Sequence, residues 1–213
     1  MQNKKNYDRI DKKYVERQKI MTNIYFIRHA QSERNFTDEM QRPLTREGTL
    51  DADALAEFME KYHIDAVLSS PYKRAFDTVL PIAMVRGLDI KTDERLRERD
   101  AGSWKGENFL EYIEMQWEDP DFSTEGGESI NAVQRRGIAA VNDILVKYCG
   151  QSIAVGTHGT ALSAILNYYD SSFGFRDFMR ILDLMPYVIK LSFKGETLVS
   201  KTELFKKERK YDA

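Results

Sequence analysis

Residues 23–30 read Asn23-Ile24-Tyr25-Phe26-Ile27-Arg28-His29-Ala30, and their pattern decides the fold. The stretch is short, apolar from Ile24 to Ile27 and rich in β-formers, as a strand buried on both faces must be. Polar chemistry begins where that strand stops, at Arg28 and His29. Two later segments repeat the pattern. Ala66-Val67-Leu68 runs into Ser69-Ser70-Pro71, with Arg74 close behind, and Ser152-Ile153-Ala154-Val155-Gly156 runs into Thr157-His158-Gly159.

Helical stretches lie between. Thr45 can cap a helix over roughly 46–61, with Leu50, Ala54, Leu55, Phe58 and Met59 on one face. A second helix starts near Pro71 or Tyr72, and Pro81 bends or ends it. Ile90 to Thr92 reads as a short third strand. Helices follow over roughly 128–148 and from Thr160 onward. Tyr187 to Phe193 and Leu198 to Thr202 read as a hairpin around Lys194-Gly195-Glu196. Strands alternating with helices predict an α/β class: a three-layer α/β/α sandwich, mostly parallel in its central sheet, with helices on both faces. Ligands bind such sheets at the carboxyl ends of the strands. The endings at His29, Ser70 and His158 should therefore converge.

The whole chain bounds its partners. Its 213 residues suit one domain. A net charge of −2 gives no global pull toward nucleic acid or a membrane. The apolar runs are strand-sized, so no spanning helix and no apolar leader are expected. One cysteine, Cys149, precludes an internal disulfide and suits a reducing compartment, so the cytoplasm is the expected location. Residues 1–22 carry seven Lys or Arg against three Asp or Glu and read as a charged arm or extension. Residues 23–205 read as a single domain with a cap segment over about 105–127, and 206–213 as a charged tail. An exposed final strand would admit a homodimer without requiring one.

Of the three histidines, His29 and His158 stand at strand ends. His63 follows a helix beside Lys61 and Tyr62 and reads as a surface residue. A catalytic zinc would want three protein ligands. No His-x-x-x-His or Cys-x-x-Cys pair occurs. The neighbours are arginines, Arg28 and Arg74, which repel a metal ion and grip phosphate in a planar fork. A helix start after a strand adds N–H groups for the same anion. The expected partner is a small phosphorylated substrate, with no metal and no cofactor.

Six ordered segments carry a family resemblance. They are Arg28-His29-Ala30-Gln31-Ser32 with Asn35; Pro43-Leu44-Thr45-Arg46-Glu47-Gly48; Ser69-Ser70-Pro71-Tyr72-Lys73-Arg74-Ala75; Leu96-Arg97-Glu98-Arg99 leading to Gly102-Ser103-Trp104-Lys105-Gly106; Gly127-Glu128-Ser129; and Gly156-Thr157-His158-Gly159. Together the sequence resembles the histidine phosphatase superfamily, also called phosphoglycerate mutase-like, over about residues 23–160. The resemblance implies that His29 is a nucleophile that forms a phosphohistidine. It implies that Arg28, Arg74 and His158 bind the phosphoryl oxygens. Glu98 would protonate the leaving oxygen and then activate water. Asn35, Gln31, Ser32, Arg136 and Gly159 are the implied substrate-binding residues. Two positions depart from the pattern. Ala30 stands where glycine is usual, and Met185-Pro186-Tyr187 stands where small or polar residues are usual.

The family holds phosphatases and mutases. A mutase needs extra cations above its nucleophile. Residues 106–125 contain Glu107, Glu111, Glu114, Glu118, Asp119, Asp121 and Glu125, and no Lys or Arg. The expectation is a metal-independent phosphomonoesterase of the histidine acid phosphatase type, broad in its choice of small phosphorylated metabolites. One alternative is a 2,3-bisphosphoglycerate-dependent phosphoglycerate mutase. Another is a non-catalytic phosphate- or peptide-binding module, against which His29, Glu98 and His158 are all present.

Overall fold

Six strands form one sheet in the computed structural model, which describes residues 20–104 and 108–209. They are β1 (Met21–Arg28), β2 (Ala66–Ser69), β3 (Ile90–Thr92), β4 (Ser152–Thr157), β5 (Leu184–Lys194) and β6 (Thr197–Glu208). Their order is β3-β2-β4-β1-β5-β6. The first four run parallel, because helical crossovers return the chain to the same sheet edge. β5 lies antiparallel on β1, and β6 antiparallel on β5. The tight β5–β6 turn needs a left-handed residue, and Gly195 supplies it at φ 57°.

The described helices are α1 (Arg46–Met59), α2 (Lys73–Met84), α3 (Phe109–Glu118), α4 (Ile130–Lys147), α5 (Gly159–Tyr169) and α6 (Phe175–Leu182). Alternation along β1 divides the core. Tyr25 and Ile27 pack with Leu55 and Met59 of α1 and Val79 and Ile82 of α2. Ile24 and Phe26 pack with Val141 and Ile144 of α4 and Leu162 and Ile165 of α5. Helices thus cover both faces, and the fold is the α/β sandwich that the pattern predicts. No described helix is long and apolar enough to cross a membrane.

The differences have physical causes. Helix α1 buries Gly48, Asp51, Ala52, Leu55, Ala56 and Met59, while Leu50 and Ala54 face solvent. Asp51 belongs to the inner face because Arg209 pairs with it at 2.7 and 2.9 Å. An acidic residue held inside by a partner shifts the apparent apolar face. Gly48 is fixed by close approach: a Cβ there would sit 2.0 Å from the Gln31 carbonyl oxygen. Pro81 does not end α2, which runs on to Met84. The sequence expectation omits helix α6, although Phe175, Phe178, Met179 and Leu182 fall at helical spacing and pack on one face. Both hairpin strands outrun their apolar stretches. β6 continues to Glu208, so residues 206–208 are strand rather than tail, paired on β5 with polar side chains outward. Met21 and Thr22 likewise belong to β1 rather than to an arm. Residues 1–19, 105–107 and 210–213 of the arm, cap and tail lie outside the described residues.

Candidate active site

β1, β4 and β2 are parallel neighbours, so their carboxyl ends open along one edge of the sheet. His29 follows β1, His158 follows β4 and Ser70 follows β2. The two imidazole rings meet edge to face, 5.2 Å apart. Arg74, in the first turn of α2, reaches the pair, and its Nε donates to His29 Nε2 at 3.3 Å. Gly156 lets α2 approach: a Cβ there would lie 2.9 Å from the Ala75 carbonyl oxygen. His29, His158, Ser70 and Arg74 are all buried.

The partners of His29 fix its tautomer. Nδ1 lies 2.7 Å from the Ala30 carbonyl oxygen, which can only accept. Nδ1 therefore carries the proton, and the lone pair is on Nε2, facing Arg74. Burial, then the charges of Arg74 and Arg28, hold His29 well below the ordinary histidine value of 6.5. Burial and Arg74 do the same to His158. Its Nε2 lies 2.8 Å from Ser70 Oγ, and its Nδ1 has no hydrogen-bond partner among the described residues. Tyr72 packs edge-on against the His158 ring at 5.2 Å. Burial lowers Arg74 to about 10, aided by the nearby Arg42 charge, so it stays cationic at neutral pH. Two neutral rings beside guanidinium groups make a seat for an anion.

Stability should register this arrangement. The unfolded chain protonates both histidines below about pH 6.5, whereas the fold keeps them neutral. Stability is then lost as pH falls below that value, by about 1.4 kcal/mol per pH unit for each histidine. Thermal melts between pH 7.5 and 5.5 should show a steadily falling Tm. A flat Tm would mean that the pair takes up protons within the fold.

Glu98 lies at the start of α5, the helix that His158 caps. Its Oε1 accepts from Arg99 N at 2.8 Å and Ala161 N at 3.1 Å, and its Oε2 from Thr160 N at 3.1 Å. The Thr160 and Ala161 N–H groups lie in the first turn of α5 and have no partner inside the helix, so the Glu98 carboxyl closes the helix start. Glu98 lies close enough for its charge to act on Arg74 and Tyr72.

Arg136 braces this segment. Its Nη1 donates to the carbonyls of Arg95 and Arg97, both at 2.8 Å, and its Nη2 to that of Glu98 at 3.1 Å. Nε and Nη2 also grip the two oxygens of Glu128, at 2.9 and 3.0 Å. All five guanidinium donors are used. The structure thus sets Arg136 apart from the substrate role that the resemblance implies: it positions the backbone of Glu98. Burial pushes the Glu128 carboxyl up, but Arg136, Arg97 and the Asp100 N–H outweigh it and hold it down at about 2.

The other implied residues divide. Arg28 Nη1 donates to the carbonyls of Ile181, Leu182 and Leu184, where α6 ends, a favourable place for a cation. The rest of its guanidinium lies against Gly159, where a Cβ would come within 3.3 Å of Nε. Gln31 accepts from Thr45 N and Thr45 Oγ1 at 3.0 and 3.1 Å and so anchors the start of α1. Ser32 forms a β-bridge with Leu44. Asn35 is exposed, with no hydrogen bond to the site among the described residues. Residue pattern alone misses Tyr72, Glu39 and Arg42, whereas the strand ending at Ser70 meets those of His29 and His158 as expected.

Fold and site define a phosphatase centre at the carboxyl edge of a mixed α/β sheet. The chain belongs to the histidine phosphatase superfamily, whose branch 1 model matches residues 24–189. Phosphoserine phosphatase 1 of Hydrogenobacter thermophilus is 28% identical over 157 residues, covering 68% of this chain and 74% of that protein. Glucosyl-3-phosphoglycerate phosphatase of Mycobacterium tuberculosis is 30% identical over 133 residues, covering 57% of this chain and 60% of that protein. The solved structure of Bacillus stearothermophilus YhfR is similar at a TM-score of 0.69 and 27% identity, covering 84% of this chain and 94% of that one.

Proposed function

We propose that the protein hydrolyses phosphate monoesters of small metabolites through a phosphohistidine on His29, without a metal ion. The observation that carries this is the neutral His29 ring, with its Nε2 lone pair turned to Arg74. Nε2 attacks phosphorus and the ester P–O bond breaks. Arg74 and His158 stabilise the phosphoryl oxygens, with the charge of Arg28 behind them. Glu98 gives its proton to the leaving oxygen, then takes one from the water that attacks the P–N bond. Its Oε2 accepts a single N–H bond, which leaves a place for that proton. Hydrolysis frees inorganic phosphate and restores His29.

The relatives named above support a monoester substrate, since their names specify phosphoserine and glucosyl-3-phosphoglycerate. The acidic cap segment argues against a mutase. Glu111, Glu114, Glu118, Asp119, Asp121 and Glu125 are exposed, and a mutase's second phosphoryl group would find no Lys or Arg among residues 106–125. A single cysteine supports a reducing compartment such as the cytoplasm.

The test is turnover of 4-nitrophenyl phosphate with and without a chelator. Full activity in chelator is expected, and chelator-sensitive activity would sink the metal-free mechanism. Incubation of 3-phosphoglycerate with 2,3-bisphosphoglycerate should release phosphate and form no 2-phosphoglycerate. Formation of 2-phosphoglycerate would instead make the protein a mutase.

A further inference from the structure

An anion already lies against the pocket's cations: the Glu39 carboxylate. Its Oε2 is 3.3 Å from Arg74 Nη1, and its Oε1 is 3.1 Å from Arg42 Nη1. One carboxylate thus spans two guanidinium groups. The two cations are well placed, and the anion is loosely held. Arg74 is buried and bonded to His29 Nε2 and the Glu39 carbonyl. The Arg42 side chain is 20% exposed, and its Nε is buried with no partner among the described residues. The Glu39 side chain is 57% exposed, so its ion pairs are weak. Glu39 links Arg42 to Arg74, and Arg74 bonds His29 Nε2, so Arg42 stands on the same chain of contacts as the reacting atom. The mechanism above uses Arg74 and leaves Arg42 without a task.

We propose that Arg42 binds a second anionic group on the substrate, a carboxylate on the leaving part, and that Glu39 occupies its place at rest. This rests on the phosphatase function proposed above. The phosphoryl group must lie in line with His29 Nε2, beside Arg74. Arg42 then remains for whatever the leaving oxygen carries. Glu39 shows the chemistry that this guanidinium accepts, since a carboxylate oxygen already meets it at hydrogen-bond distance. A substrate with phosphate and carboxylate a few bonds apart would span the seat and displace Glu39 into solvent. An oxygen reaching Arg42 Nε would also satisfy a buried donor that otherwise lacks an acceptor. The substrate class is a phosphorylated hydroxy or amino acid.

The test compares 3-phosphoglycerate with glycerol 3-phosphate, which has an alcohol in place of the carboxylate. The wild-type protein should favour 3-phosphoglycerate in kcat/KM by about tenfold or more, the scale of one charge-assisted hydrogen bond. Arg42→Met should erase most of that ratio, and Arg42→Lys should restore part of it. Glu39→Gln should lower KM for 3-phosphoglycerate, because the competing carboxylate is gone. An active enzyme that treats the two esters alike, or an Arg42→Met variant that keeps the ratio, overturns the proposal. An unchanged or raised KM in Glu39→Gln overturns the resting role of Glu39. Lack of turnover on 4-nitrophenyl phosphate as well would sink the phosphatase function itself, and this proposal with it.

Discussion

Replacing His29 with alanine should cut turnover of 4-nitrophenyl phosphate by roughly 10⁴-fold or more, the scale seen when a nucleophile is deleted. Arg74 loses the acceptor of its Nε but keeps its bond to the Glu39 carbonyl, and the His158–Ser70 pair is untouched. The anion seat therefore survives, and phosphate should still bind the variant. The chemical signature is sharper than the rate. Rapid quench of the wild-type protein with labelled substrate should trap an acid-labile, alkali-stable phosphoprotein, as a phosphorus–nitrogen bond requires. The label should vanish in His29→Ala. If it persists there, the nucleophile is another residue.

Glu98→Gln should slow hydrolysis of an alkyl phosphate by about 10²- to 10⁴-fold, the range for loss of a positioned proton donor. Hydrolysis of 4-nitrophenyl phosphate should suffer much less, because its leaving oxygen needs little help. The variant also tests placement. Glutamine has one carboxamide oxygen where Glu98 has two accepting oxygens, so the bonds from Arg99, Ala161 and Thr160 cannot all persist. A purely positional role would slow both esters equally. That outcome would remove Glu98 from proton transfer.

The layers of the fold were legible because the strands are apolar on both faces and the helices are not. The central strands β1, β2 and β4 and the polar residues just past them stand out in the sequence for that reason. β6 was not fully legible: an edge strand with polar side chains outward looks like a tail until β5 is seen beside it. Helix α1 was placed well along the chain but turned in its inner face, because the buried Asp51 is neutralised by Arg209, 158 residues away. The site divides in the same way. His29, His158 and Arg74 announce themselves, since strand ends and residue types suffice to find them. Arg136 has the right chemistry for phosphate but spends every donor on the backbone of its neighbours and on Glu128. Glu39 and Arg42 sit in a loop where charge is ordinary, and only the distances from Glu39 to Arg74 and to Arg42 point to a shared task.

The sheet order has a consequence for how the chain acquires its activity. The centre is stitched from contacts of large sequence separation: His29 to Arg74 across 45 residues, Glu98 to Ala161 across 63, and Ser70 to His158 across 88. β1 is flanked by β4 and β5, both made long after it. Pairings of this kind form slowly, because loop closure must come before any contact repays it. A growing chain therefore holds no working fragment until β4 has emerged and slotted between β1 and β2. Competence to bind phosphate would then report completed topology, and phosphate present during refolding would select chains with the correct strand order.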